Sequence, residues 1–367
     1  MHLMEHMLFT GSKNYPEDNY IEKELNKHNG TYNATTGDFI TTYFYELSED
    51  GLEDFVKVLV DAMANPTLDA STVAKEVNNV NSEISMSMTY SKYLGYYKLL
   101  KAVGDPKAKL LSDAFANINV QKLDVAKLQR DLVDIHRKYY SSNLMSLVIM
   151  GDMELEKVAG VAETHFGAIP RVEGTERPLF NEPATYVHAF GAEVLGSVYY
   201  LQGLTEPSQL TLVFNVPSEK KNATFLPMEF FKVLVLYFGE ESLYLTLMEE
   251  NLITSMSPES LWEDYVDDVL LLHFSLTDYG LQNVSKVIQH FYNFVEQIKK
   301  QENRAAVYKV LSDISKFTFL FDTSNEKLFL SESEGNLWRA AYNYARTMQD
   351  FKLDNLFKAK AVFEEYR

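Results

Sequence analysis

The sequence predicts an α+β protein arranged as two domains, and three observations lead there. At 367 residues and 46% hydrophobic content, the chain is long enough to bury two cores of ordinary size. Two β-rich segments, Thr31 to Thr35 and Phe39 to Leu47, flank Gly37-Asp38 and read as an antiparallel hairpin followed by long helical patterns. Past a stretch bearing Gly174, Pro178 and Pro183, the order strand, helix, strand, helix returns. No low-complexity segment or short-period repeat argues for a solenoid.

The first nine residues, Met1 to Phe9, carry the strongest chemical signal. His2 and His6 are four apart, so on a helix both imidazoles project from one face and can share a metal ion. Glu5 lies between them, placed to activate a water rather than to ligate. The pattern is H-x-x-E-H, the inverted order of the commoner zinc-protease signature. The bland alternative is a partly exposed, hydrogen-bonded histidine pair. Next, Tyr20, Ile21 and Leu25 suit a short helix from Asn19 to His28, stopped by Gly30. The hairpin follows; a strand edge with free backbone groups can accept an extended peptide, or can simply be a sheet edge. Asp50 and Glu53 form a capping box for a helix from Leu52 to Met63, with Pro66 beyond its end.

A helical pattern without Pro or Gly then runs from Leu68 to Leu94. Catalytic zinc usually takes three protein ligands, and two histidines leave one to be found. Glu76 and Glu83 are seven apart, so two turns of this helix put both carboxylates on one face, either as site residues or as solvated charges. His2-Leu3-Met4-Glu5-His6 followed by Glu76 and Glu83 resembles the insulin-degrading enzyme and pitrilysin family of zinc metallopeptidases. Further stretches are similar: Glu5 to Phe9 running into Gly11 to Pro16, Asn33-Ala34-Thr35 with Thr42-Tyr43-Phe44, and Tyr139 to Met145. Glu83 follows His6 by 77 residues, a spacing like the family's.

The resemblance implies zinc held by His2, His6 and Glu83, Glu5 as the catalytic acid and base, and Glu76 supporting a ligand. It also implies a peptide substrate lined by Phe9, Asn33, Ala34 and Thr35, and two homologous α/β-roll domains, each a mostly antiparallel sheet packed with helices. The family has strands before its zinc helix and a second half that closes on the substrate. The expectation is therefore a chain truncated at its N-terminus, with unreadable targeting and the cytoplasm as default compartment, needing a complementary C-terminal half or partner chain. The alternative is an inactive fragment or a non-catalytic peptide-binding subunit on a peptidase fold.

Beyond the long helix, Gly104 to Lys107 reads as a loop, Leu128 to Tyr139 as a helix and Leu144 to Met150 as a buried strand. A helix from Leu155 to Phe166 ends near Gly167. His136 and His165 sit in helices without a paired histidine at metal spacing and read as structural. The expected domains are 1–170, carrying the zinc motif, and 197–367, non-catalytic, with residues 171–196 as linker. In the second domain, Leu210 to Val216 and Val269 to Leu276 read as strands, Phe225 to Glu250 as mostly helical and Leu281 to Lys300 as a helix. The stretch Asn251 to Pro258 resembles the family's substrate-anchoring strand but lacks its glycine, so that anchor is not expected. The aromatic stretches Phe317 to Phe321 and Trp338 to Tyr344 read as core.

A formal charge of −18 argues against a nucleic-acid partner, which needs clustered Lys and Arg. The absence of cysteine removes disulfides, thiolate ligands and a cysteine nucleophile, leaving His and carboxylate for any metal. The longest apolar runs, such as Leu144 to Met150, are too short to span a bilayer, so no membrane partner is expected.

Overall fold

The computed structural model describes residues 1–37, 40–87, 89, 95, 103–104, 123–174, 190–201, 208–217, 227–240, 242–263, 267–300, 308–310, 312–313, 341–342, 344–345 and 348–349. The chain forms two units. Met1–Met86, Ala116–Leu179 and Asp322–Ala361 make the first, and Ser87–Phe115, Phe180–Phe321 and Val362–Arg367 the second. The fold is mixed helix and antiparallel strand, as the sequence leads one to expect. Among the described residues no helix is long and apolar enough to cross a membrane.

In the first unit, α1 (His2–Met7) is only six residues long and would not persist alone in water. It is held by burial, since Leu3, Met4, Met7 and the following Leu8 all enter the core. Helix α2 (Tyr20–Lys27) buries Ile21 and Leu25 and ends where the Gly30 N–H returns to the Leu25 carbonyl at 2.8 Å. A Cβ at Gly30 would lie 2.9 Å from the Glu46 carbonyl oxygen, so the strand that follows can start here only without a side chain. Strands β1 (Thr31–Thr36) and β2 (Thr41–Glu46) pair antiparallel from Thr31 opposite Glu46 to Thr36 opposite Thr41. The hairpin closes through the Gly37 N–H on the Ile40 carbonyl; Asp38 and Phe39 lie outside the described residues.

Helix α3 (Leu52–Ala64) lies where the apolar periodicity puts it, but the capping box does not form. A 3-10 turn, Glu49–Gly51, leads into the helix and makes Gly51 the cap. Asp50 lies beside His28, 3.8 Å from its Nδ1, and Glu53 turns outward beside Lys57 and His165. Helix α4 (Ala70–Ser87) is started by Asp69, whose carboxylate accepts from the Ser71 and Thr72 N–H groups and hydroxyls. Those four donors hold its pKa down at about 2. Val73, Val77 and Val80 form its core-facing stripe. The expected continuation to Leu94 and the loop Gly104 to Lys107 fall largely outside the described residues.

Helix α5 (Val125–Tyr139) starts three residues earlier than expected, because the Asp124 side chain accepts the Lys127 N–H and caps it. His136 binds the Met63 carbonyl through Nε2 at 2.8 Å, and burial pushes its pKa down, so it is a neutral structural histidine. Helix α6 (Leu155–Val161) runs on into a π turn, Ala162–Phe166. The buried strand expected from Leu144 to Met150 is not found. Leu144 ends a 3-10 turn, residues 145–150 carry no strand pairing, and Leu147 is exposed. Apolar content identified the segment, but a strand also needs a backbone partner, which a sequence run cannot supply. The expected linker lies mostly outside the described residues.

The second unit is built on a three-stranded antiparallel sheet in the order β3 (Gln209–Pro217), β5 (Asp267–Leu276), β4 (Ile253–Glu263). The near-continuous apolar run Val269 to Leu272 belongs to the central strand, where both edges are paired. Pro258 sits in β4, which is an edge strand among the described residues, so the missing N–H can face away from the ladder. Helices α7 (Pro227–Leu236), α8 (Leu243–Glu249), α9 (Asp278–Gln282) and α10 (Val284–Ile298) complete the unit. Val235, Leu247, Leu252, Leu272, Phe274 and Val287 are the innermost residues of its core. The stretch Phe317 to Phe321 and Trp338 lie outside the described residues. Tyr342 is described and belongs to the first unit, within which it packs edge-on against Phe44, 5.4 Å between ring centres.

Candidate metal centre

Two helices bring the proposed ligands together. On α1, Leu3, Met4 and Met7 point into the core, which turns His2 and His6 toward α4 on the less buried side. On α4 the stripe Val73, Val77, Val80 continues into Glu76 and Glu83, so one helix face passes from core to site. His2 Nε2 lies 3.4 Å and His6 Nε2 3.3 Å from the same Glu83 oxygen, Oε2. One donor atom from each of His2, His6 and Glu83 falls within 4.8 Å of the others. Atoms about 2.0 to 2.1 Å from a tetrahedral ion stand about 3.3 Å apart, so these three could hold one metal ion with little movement.

The far side of His6 is also fixed. Its Nδ1 lies 3.3 Å from Glu76 Oε2, and both Glu76 oxygens accept from Asn79 Nδ2 at 3.0 Å. A neutral His6 that donates Nδ1–H to Glu76 presents the Nε2 lone pair to Glu83. Two acceptors 3.3 Å apart repel unless a cation lies between them. Glu76 is buried at 6% exposure while the Glu83 side chain is 47% exposed, so the first is suited to orienting and the second to reaching an ion from solvent.

Glu5 is 8% exposed. Its Oε2 accepts the hydroxyl of Thr36 at the end of β1, and Thr36 Oγ1 lies 3.3 Å from Thr41 Oγ1 on β2. Behind it, the hydroxyls of Tyr43 and Tyr140 are bonded to each other at 2.6 Å. Burial, and then the neighbouring Tyr140 hydroxyl, push the Tyr43 and Tyr45 hydroxyls far up, with Glu5 adding least. Tyr140 is pushed up to about 12, mostly by burial. Phe9 packs at a tilt against Tyr32 and Tyr43, at 5.0 and 5.9 Å between centroids.

On β1, burial alternates. Thr31, Asn33 and Thr35 point outward, while Tyr32, Ala34 and Thr36 face inward. Thus Ala34 lies on the side of Glu5, whereas Asn33 and Thr35 occupy the opposite face. Asn33 Oδ1 accepts the Ala34 N–H, and Thr35 Oγ1 is 3.3 Å from the Tyr342 hydroxyl. Among the described residues β1 pairs only with β2, which leaves one edge unpaired. A small cavity of about 150 Å³ lies on the outer face, lined by Thr31, Tyr32, Asn33, Phe44 and Glu46. Sequence alone assigns no role to Thr36, to Asn79 or to the pairing of Tyr43 with Tyr140. Asn79 was findable as the i+3 neighbour of Glu76, whereas Thr36 is joined to Glu5 only by the hairpin's placement.

The site sets a His-His-Glu group of possible metal donors beside a buried glutamate, in the inverted order H-x-x-E-H. Residues 1–101 match the family model described as insulinase, peptidase family M16, and residues 128–310 match the model of the peptidase M16 inactive domain. The chain belongs to the insulinase (M16) family of peptidases. All of His2, Glu5, His6, Glu76 and Glu83 fall within the first match. Insulin-degrading enzyme of Homo sapiens is 25% identical over 100% of the chain, which spans 35% of that relative. The A-factor-processing enzyme of Saccharomyces cerevisiae is 26% identical over 87% of the chain and 31% of its own length. Protease 3 of Escherichia coli is 26% identical over 87% of the chain and 33% of its own length. The chain thus spans about a third of each of these relatives. In fold it is similar to pitrilysin, with a TM-score of 0.77 and 23% identity over 99% of the chain and 38% of that structure. A protease from Helicobacter pylori gives a TM-score of 0.67 at 15% identity over 99% of the chain and 82% of that structure.

Proposed function

We propose that this chain is the zinc-binding part of an endopeptidase that cleaves peptides or small unfolded polypeptides. The observation that carries the proposal is the convergence of His2, His6 and Glu83, with Glu76 on the outer nitrogen of His6. His2, His6 and Glu83 would hold the ion, and Glu76 would keep His6 in the tautomer that offers Nε2. A bound zinc ion supplies Lewis acidity toward the scissile carbonyl and the attacking water. Glu5 takes the water's proton and returns it to the leaving amine, a role that suits a carboxylate whose Oε2 is already engaged by Thr36. The edge of β1 left unpaired among the described residues would receive the substrate as an added strand, with Ala34 toward the site and Phe9 nearby.

Because the chain spans a third of its relatives, full activity is proposed to need a complementary half that closes over the substrate. A second proposal, a peptide-binding subunit without catalysis, is favoured by the match of residues 128–310 to the family's inactive domain. Metal analysis and cleavage assays separate the two. The catalytic proposal expects one zinc per chain, lost in His6→Ala, and Glu5→Gln keeping zinc while losing peptide cleavage. Peptide binding that survives a chelator, with no cleavage when a partner half is supplied, would favour the binding subunit.

A further inference from the structure

We infer that Thr36 is the positioning residue for Glu5: its hydroxyl holds one carboxylate oxygen so that the other is aimed at the attacking water. The inference rests on the proposed peptidase chemistry. A glutamate side chain has three torsions, and helix burial through Leu3, Met4 and Met7 fixes only the backbone from which Glu5 projects. Among the described residues, the Thr36 hydroxyl is the hydrogen-bond partner of the Glu5 side chain, on Oε2. The nearby hydroxyls of Tyr43 and Tyr140 are bonded to each other.

Thr36 is itself well fixed. It is the last paired residue of β1, opposite Thr41, and its β-branched side chain has few rotamers. Its hydroxyl has one proton to donate, and the Thr41 hydroxyl 3.3 Å away can in turn donate to Thr36 Oγ1. The chain Thr41 to Thr36 to Glu5 therefore points every donor toward the carboxylate. Strand alternation supplies the rest, because Ala34 and Thr36 share the inward face. A peptide added along β1 and the oriented carboxylate are consequently set by the same two-stranded hairpin. Misplacement of a reacting group by about 1 Å can slow turnover about 100-fold, so one hydroxyl here has leverage on rate without touching the ligands.

The test uses the full chain, with its complementary half if one is required, as Thr36→Val and Thr36→Ser. The variants are assayed for zinc stoichiometry and for kcat and KM on an unstructured peptide. Thr36→Val is expected to keep one zinc per chain and a KM within about twofold, while kcat falls about 10- to 100-fold. Thr36→Ser, which keeps the hydroxyl, should recover most of that loss. A metal-free double-mutant cycle of melting temperature, combining Thr36→Val with Glu5→Leu, reads the contact itself. Thr36→Val should destabilise more when Glu5 is present, since it then leaves a buried carboxylate without its donor. Unchanged kcat in Thr36→Val, a loss confined to KM, no recovery in Thr36→Ser, or an additive cycle would each overturn the role. A parent protein that binds zinc and cleaves nothing refutes the peptidase chemistry; a non-additive cycle would then leave Thr36 as a structural partner of Glu5 only.

Discussion

Asp61→Ala removes one acceptor from four donors at once. Asp61 is buried on α3, and its Oδ2 takes the Ser12 hydroxyl at 2.6 Å and the Asn14 N–H at 2.7 Å. Its Oδ1 takes Asn14 Nδ2 at 2.9 Å and Asn65 Nδ2 at 3.1 Å. Hydrogen bonds to a charged group contribute about 1.5 to 3 kcal/mol each. The two Asn amides are partly exposed and can turn to water, so the loss is dominated by Ser12, which is 1% exposed, and the Asn14 N–H. Two such bonds give about 3 to 6 kcal/mol of destabilisation. The same substitution frees the loop Gly11 to Tyr15 that leaves the metal-site helix, so zinc affinity should fall along with stability. Urea unfolding followed by tyrosine fluorescence, with and without zinc, measures both. A loss below about 1 kcal/mol would show that water replaces the carboxylate, and the buried network would then not be what pins the loop.

Other expectations follow from single contacts. Glu76→Gln keeps the size of the group on His6 but not its charge, and zinc affinity should fall about 10- to 100-fold in competition with a chromophoric chelator. Tyr140, at about 12 against an ordinary value near 10, releases its proton later when folded than when unfolded. Stability is therefore intact below pH 10 and declines by roughly 3 kcal/mol as pH rises toward 12, with Tyr43 adding in the same direction; denaturation between pH 8 and 12 should show this, and Tyr140→Phe should flatten it. Gly280→Ala would set a Cβ 1.8 Å from the Leu252 carbonyl oxygen, so the second unit should lose about 3 kcal/mol or more, read by its melting transition.

The parts of the fold that the sequence made legible are those set by local periodicity. Tyr20–Lys27, Leu52–Ala64 and Val125–Tyr139 lie within three residues of their expected ends, and the hairpin of β1 and β2 stands where Gly37-Asp38 suggests. The failures are non-local. Whether Leu144 to Met150 pairs depends on a partner elsewhere, and whether Asp50 caps α3 depends on the 3-10 turn before it. At the site, the i, i+4 and i, i+7 spacings set which donors share a helix face. That the two faces meet is a matter of how α1 and α4 pack on the shared valine and methionine core. Thr36 shows the limit of spacing: it contacts Glu5 across 31 positions of chain, a link no helical period encodes.

The donor set spans a six-residue helix and an eighteen-residue one, with His6 and Glu83 lying 77 positions apart. An ion held there acts as a rivet between segments that are otherwise joined by packing and by the contact of His6 with Glu76. Short α1, with no side-chain cap, is the weaker plate. Chelation should therefore loosen residues 1–9 by local opening long before it melts α3 or α4, and amide exchange would register that as an early, isolated event.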